Sequence, residues 1–321
     1  ETVVNQTLQL EPHVSQYWQF VANVEQSQPQ VVELRRELEK PDMIAAKIAN
    51  SVNEGTDKLS RIIASADGFQ VLSEENVAVH HYANVLFNVM RGGVFNDQYR
   101  LASSDFVAKV RNFNRDLHQS HLEMFSALPE KLEYSQLLRM IKQQGDPQLE
   151  RLCLEYLPIT FGRRHGDPSR PWNQFTINLR DEHGQPLLSY EGNWRDIFQN
   201  WEALLFSYPE FIENVIAKFV NASTVDGYNP YRITKQGIAW EVEEPDDPWS
   251  YIGYWGDHQI IYLLKILELS NSFHPARLSS LLRHPVYSYA NVPYRIKPLE
   301  DLLENAKDTV MYDVDLAAKI E

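Results

Sequence analysis

Apolar and polar residues alternate over Thr7-Leu8-Gln9-Leu10 and again from Tyr17 to Val24, a period of two that predicts strands, split at Pro12-His13. The period then lengthens. Val31, Val32, Leu34 and Leu38, followed by Ile44, Ala45 and Ile48, recur at helical spacing, so 29–65 reads as helix interrupted at Lys40-Pro41-Asp42. Asp67-Gly68 is a turn. A further helix runs from about Glu74 to Met90 and stops at the pair Gly92-Gly93. Residues 94–115 fit neither period.

From about Arg115 to Leu157 the pattern is helical, with breaks at Leu128-Pro129 and Gly145-Asp146-Pro147. A polar, proline-rich loop follows over 162–172. Gln174–Leu179 and Leu187–Tyr190 flank the turn cluster Asp181-Glu182-His183-Gly184 and read as a hairpin. Helices return at Asp196–Ser207, Glu210–Asn221 and Ser250–Ser270, with short ones near 276–283 and 298–306. Between them 223–249 reads as one long loop, a length uncommon unless functional. There is no internal repeat and no βαβ alternation, which argues against a dinucleotide-binding fold.

Length, at 321 residues, allows one large domain or two ordinary ones. The 30 Lys and Arg against 44 Asp and Glu give a net charge of -14, a field that repels phosphate backbones and anionic lipid surfaces. Nucleic acid and membrane partners are thereby disfavoured, and no apolar run is long enough for a transmembrane helix. A neutral sugar meets no such repulsion. Cys153 is the only cysteine, so no intrachain disulfide is possible, and its apolar neighbours make it a buried small hydrophobe. The expected compartment is cytoplasmic. The opening Glu1-Thr2-Val3 is neither a natural start nor a signal peptide, so the chain is expected to begin inside a longer one or to have been trimmed.

Three clusters could carry chemistry. The first runs from Gly192 to Glu202, where Arg195, Gln199 and Glu202, and Asp196 with Asn200, share helix faces beside Trp194 and Trp201. Indoles stack on apolar sugar faces while planar polar side chains read hydroxyls. The competing account is an N-capped amphipathic helix with an Arg–Asp pair. The second, Trp240 to Trp249, sets five carboxylates in seven positions. Mutual repulsion raises carboxylate pKa values, as a glycosidic general acid needs, and Glu241 beside Trp240 is the candidate. A solvated acidic loop is the better account of its neighbours. The third is Tyr251 to Gln259, an aromatic, Gly-containing helix start with Trp255 and Asp257, or else a packed N-terminus capped by Asp257. Arg163 and Arg164 could hold an anion such as phosphate or pair with the acidic loop. His80-His81 and the i, i+3 pair His118 and His121 invite a metal reading, but without a nearby third ligand no metal site is expected.

The order of these features resembles the cellobiose phosphorylase family and its relatives among the six-hairpin, (α/α)6-toroid glycosidases. Gly192-Asn193-Trp194-Arg195-Asp196-Ile197-Phe198-Gln199-Asn200 is similar to that family's Gly-x-Arg-Asp-x-x-Gln-Asp motif, with Asn200 replacing a charged residue. The resemblance implies that Arg195 and Asp196 line a sugar subsite, and Trp255-Gly256-Asp257 sits where the family has an Asp at an inner helix start. It covers about 190–265. The family's downstream Gly-Asp-Trp-Asn-Asp motif is absent, and fewer helices follow Asp196 than six hairpins require. Trp240-Glu241 is also similar to the acid-bearing loop of glucoamylase-like toroids.

The expectation is therefore a mainly α fold, a partial (α/α)6 toroid preceded by a small β portion and linker helices. Its divisions are 1–28 as the end of a β-sandwich, 29–172 as a helical linker and 173–321 as the partial toroid. The expected activity is that of a glycosidase or phosphorylase on oligosaccharides. Glu241, Asp196 and Asp257 are its catalytic candidates, and Trp194, Arg195, Gln199, Asn200, Trp201, Trp240, Trp255, Arg163 and Arg164 its binding candidates. No cofactor is expected, only inorganic phosphate as co-substrate if the enzyme is a phosphorylase. Partners would be the oligosaccharide and the rest of a longer chain or a second copy. The rival is a non-catalytic carbohydrate-binding or scaffold segment.

Overall fold

A proline and a glycine pair punctuate the first helices where the sequence pattern demands. The computed structural model describes residues 7–22, 26–162, 181, 187–240, 259–306 and 308–320, with the side chains of Arg195 and Gln259 excepted. It divides into two compact units, Glu1–Lys58 and Leu59–Glu321.

In the first unit, residues 7–22 form no strand. The alternation that predicts strands is present, but a strand needs a partner ladder and none is found among the described residues; Tyr17, Phe20 and Val21 stay exposed. Helix α1 (Gln28–Leu38) starts at Ser27, whose amide and hydroxyl both donate to Gln30 Oε1 at 2.8 Å. Helix α2 (Pro41–Ser65) begins at the predicted break, with proline at its first position, where no amide hydrogen bond is lost.

The second unit is mainly helical. Its α3 (Glu75–Gly92) ends on Gly93 at φ 81°, a left-handed conformation that favours glycine. The stretch that fits neither period holds β1 (Val94–Phe95), β2 (Arg100–Ala102) and α4 (Ser103–Phe113). Then follow α5 (Arg115–Ser120), α6 (Leu122–Ser126), β3 (Lys131–Glu133), α7 (Tyr134–Gln144), α8 (Pro147–Leu154) and β4 (Ile159–Thr160). β1 pairs antiparallel with β4, and β2 with β3.

β5 (Glu191–Asn193) leads directly into α9 (Trp194–Leu205). A 3₁₀ turn, Pro209–Phe211, precedes α10 (Ile212–Ala222). The region that reads as one long loop instead contains β6 (Arg232–Thr234) and β7 (Ile238–Ala239), which join β5 in a three-stranded antiparallel sheet. The turn between them closes by Thr234 N–H to Gly237 O, 2.8 Å. Helices α11 (Gln259–Phe273), α12 (Arg277–Leu281), α13 (Leu299–Glu304) and α14 (Val314–Ile320) follow. An antiparallel pair, β8 (Tyr294–Ile296) and β9 (Val310–Tyr312), flanks α13.

Helix α10 explains this arrangement. Its residues Ile212 to Phe219 are all buried, so it is surrounded on every side, and α8, α9 and α11 pack against it. Three of those buried residues are polar. Asn214 accepts from the Tyr134 hydroxyl at 3.0 Å and donates to the Tyr156 carbonyl at 3.0 Å. Glu213 accepts from Ser270 Oγ at 2.7 Å and meets His274 Nδ1 at 3.0 Å, while Arg277 Nε makes an ion pair with its other oxygen at 3.2 Å. The third is Lys218.

Candidate functional site

The start of α9 is fixed by the sheet beside it. β5 pairs with β6, and the Trp194 amide donates to the Tyr231 carbonyl at 2.9 Å. Glu191 and Arg232 form an ion pair at 3.1 Å across the two strands. Gly192 is required by close packing, because a Cβ there would lie 2.8 Å from Ile197 Cδ1. Asp196 falls in the first helical turn, where the unpaired amides favour a carboxylate.

The apolar stripe of α9 turns inward with both tryptophans on it. Trp194 and Trp201 are 1% exposed. Trp194 meets Phe198 edge-on at 4.7 Å, and Trp201 meets Phe198 and Tyr190 edge-on, each at 5.3 Å. A stacking platform needs an open ring face, so these two indoles are core residues and not sugar platforms. Asn200, expected to bind substrate, is likewise buried and donates to Asn88 Oδ1 at 2.9 Å. A carboxylate in place of this amide would be a buried charge.

The outward side of α9 builds the site. With α3 it walls a groove of about 510 Å³. Asn84, Asn88 and His81 line it from α3, and Gln199, Glu202 and Ser207 from α9 and the turn after it. The partly exposed rings of Phe87 and Phe206 complete the wall. His81 Nε2 is engaged with the Asp67 carbonyl at 2.7 Å, and Glu202 is 3.5 Å from Lys265. One face of Phe87 is covered by Arg91, 3.7 Å above its centroid. Planar amides and a carboxylate beside apolar rings suit a ligand with many hydroxyls and apolar C–H faces. Glu202 is the only carboxylate among the described residues lining the groove, so the groove alone supplies one member of a glycosidic acid–base pair.

Of the expected residues, Gln199 lies in this groove. Trp240 lies elsewhere, stacked on Tyr294 at 5.4 Å and 14° within a small core containing Tyr228 and Val310. Glu241, Asp257, Trp255, Arg163 and Arg164 lie outside the described residues, as does the side chain of Arg195. His121 is paired with Asp146 at 3.0 Å, and the His118 ring stacks on Phe125. Sequence reasoning passed over Asn84 and Asn88 and weighed His81 only as a metal ligand beside His80, although 81, 84 and 88 recur at helical spacing along α3. Cys153 is buried, and burial pushes its thiol up, far from a reactive thiolate.

Residues 95–158 match the model of glycoside hydrolase family 149 insertion domain 1. In this structure they run from the end of β1 to just before β4. No curated protein matches the chain. Among the described residues no helix is long and apolar enough to cross a membrane. The match supports a glycoside-hydrolase-related family for this chain.

Proposed function

We propose that the chain serves a carbohydrate-active enzyme, a glycoside hydrolase or phosphorylase acting on oligosaccharides, and that the groove between α3 and α9 holds sugar. The observation that carries this reading is the groove's lining. Three amides and a carboxylate from α3 and α9 stand beside two partly exposed phenylalanine rings, and the first turn of α9 resembles a sugar-subsite motif. The insertion-domain match at 95–158 supports the same reading. The packing of α9, α10 and α11 side by side is compatible with a partial (α/α)6 toroid. Asp196, Glu241 and Asp257 are the proposed acid–base residues. An inverting reaction would set a pair of them about 6.5–9.5 Å apart, and a retaining one about 5–5.5 Å.

A second reading is a non-catalytic carbohydrate-binding segment. That Glu202 is the single carboxylate among the described residues of the groove favours it. The two are separated by incubating the chain with a panel of oligosaccharides, with and without inorganic phosphate. Reducing ends, sugar 1-phosphates and calorimetric binding are followed together. Turnover that is lost in Asp196→Asn supports the enzyme. Binding without turnover supports the second reading, and neither binding nor turnover removes both.

A further inference from the structure

Three asparagine side chains run from the core to the groove, and one backbone carbonyl fixes the orientation of all three. Asn88 on α3 is buried, and its Nδ2 lies 2.8 Å from the backbone carbonyl oxygen of Asn84, one turn earlier. A carbonyl oxygen only accepts, so the group facing it is the NH2 of Asn88. The same NH2 is 3.3 Å from the side chain of Asn84, which therefore turns its oxygen toward it. The oxygen of Asn88 is left to face Asn200 on α9, 2.9 Å away, where only the NH2 of Asn200 can meet it.

Each end of this chain of amides has a consequence. At the core end, Asn200 Oδ1 is buried and has no hydrogen-bond partner among the described residues. An unpaired acceptor in the core is unfavourable, and a leucine would fill the position without one. What the amide of Asn200 contributes is its donor to Asn88. At the groove end, Asn84 is exposed and its oxygen is engaged, so it offers the groove its NH2. The α9 wall has the opposite character at Glu202. A carboxylate only accepts and has about four lone-pair sites, of which Lys265 at 3.5 Å takes one. One wall donates and the other accepts.

We propose, on the sugar-binding reading of the groove, that Asn84 is a specificity-determining residue, a fixed donor that reads an acceptor oxygen of the sugar. The buried Asn88 and Asn200 are the positioning residues that hold it so. A hydroxyl accepts from one neighbour and donates to another, so the hydroxyls of a neutral sugar suit a donor on α3 and an acceptor on α9. A ligand carboxylate or phosphate suits Asn84 alone and meets Glu202 with like charge.

The test is calorimetric binding of glucose, galactose and mannose disaccharides to the chain. It is repeated for the tightest binder with each hydroxyl replaced singly by hydrogen or by fluorine. Fluorine accepts a hydrogen bond and cannot donate one, whereas hydrogen does neither. At the hydroxyl that meets Asn84, the deoxy analogue should bind about 5- to 20-fold more weakly than the parent, and the fluoro analogue within about threefold of it. Asn84→Asp keeps the shape but cannot donate. It should bind the parent about 5- to 20-fold more weakly and no longer distinguish the two analogues. Asn200→Leu, away from the groove, should narrow the difference between the analogues, an effect that lost stability alone does not produce. Asn200→Ala, equally without the donor, replaces it if the leucine variant does not fold. No position at which fluorine substitutes better than hydrogen, or an undiminished difference in Asn84→Asp, overturns the assignment of Asn84 and leaves the groove a sugar site. An undiminished difference in the Asn200 variant overturns its positioning role. If no disaccharide binds the wild type, the sugar-binding reading and this assignment fall together.

Discussion

The indole N–H of Trp201 donates to the carbonyl of Gly92 across 3.0 Å, joining the core face of α9 to the end of α3. The same approach excludes a side chain at 92. A Cβ there would stand 2.9 Å from Asn200 Cβ and 3.1 Å from Trp201 Cδ1. Trp201→Phe removes the donor and leaves a buried carbonyl unpaired, at a cost of about 1–3 kcal/mol. Gly92→Ala overpacks the same contact and costs about 1–3 kcal/mol. Both should lower the denaturation midpoint in urea at unchanged m-value.

Breaking the Glu213 network should be more damaging. Its carboxylate is fully buried and faces Ser270, His274 and Arg277. Glu213→Ala leaves the guanidinium and imidazole without their counter-charge, an expected loss of about 3–5 kcal/mol. Ser270→Ala removes one neutral donor and should cost about 0.5–1.5 kcal/mol. Equal effects in chemical denaturation would contradict this ordering.

Asp146 makes acid sensitivity predictable. Partial burial works to raise its carboxyl, but hydrogen bonds from His121 and from the Leu149 and Gln148 amides outweigh it and hold the pKa below the ordinary value of 3.8. A carboxyl depressed on folding contributes stability above its unfolded pKa, and that contribution is lost as pH falls through the folded value. Asp146→Asn keeps a capping oxygen at the start of α8 but loses the charge. The variant should melt lower than wild type near neutrality, with the gap closing as pH drops below the usual carboxylate range. A constant gap would be inconsistent with this origin.

Much of the helical order was legible because its punctuation is local. Pro41, Gly92-Gly93 and Gly145-Asp146-Pro147 each end or start a helix through their own backbone chemistry. The small sheets were not legible, because Val94 pairs with Thr160 and Asn193 with Arg232, and strands of two or three residues carry no period of their own. Alternation over Tyr17–Val24 predicts a strand whose ladder the described residues lack. In α9 the pattern held both answers. Trp194, Ile197, Phe198, Trp201, Leu204 and Leu205 trace one apolar stripe, so the tryptophans fall on the core side while Gln199 and Glu202 fall on the groove side.

Phe206 offers a test of stacking that leaves the core intact. Its ring is 59% exposed at the groove, in contact with Phe273. Phe206→Ala should change stability by no more than about 1 kcal/mol, as for an exposed site, and should weaken oligosaccharide binding several-fold. Melting and calorimetry on the same samples separate the two effects.

The central claim is that the α3–α9 groove holds sugar, and Gln199 tests it most directly, since its side chain is exposed in the groove and outside the buried stripe. The measurement is calorimetric titration of the chain with the tightest-binding oligosaccharide of a panel, against Gln199→Ala and Glu202→Ala. Loss of one or two hydrogen bonds predicts an affinity about 5- to 20-fold weaker in each variant, at unchanged Tm. Wild-type affinity in both variants would contradict the assignment of the groove as the sugar site.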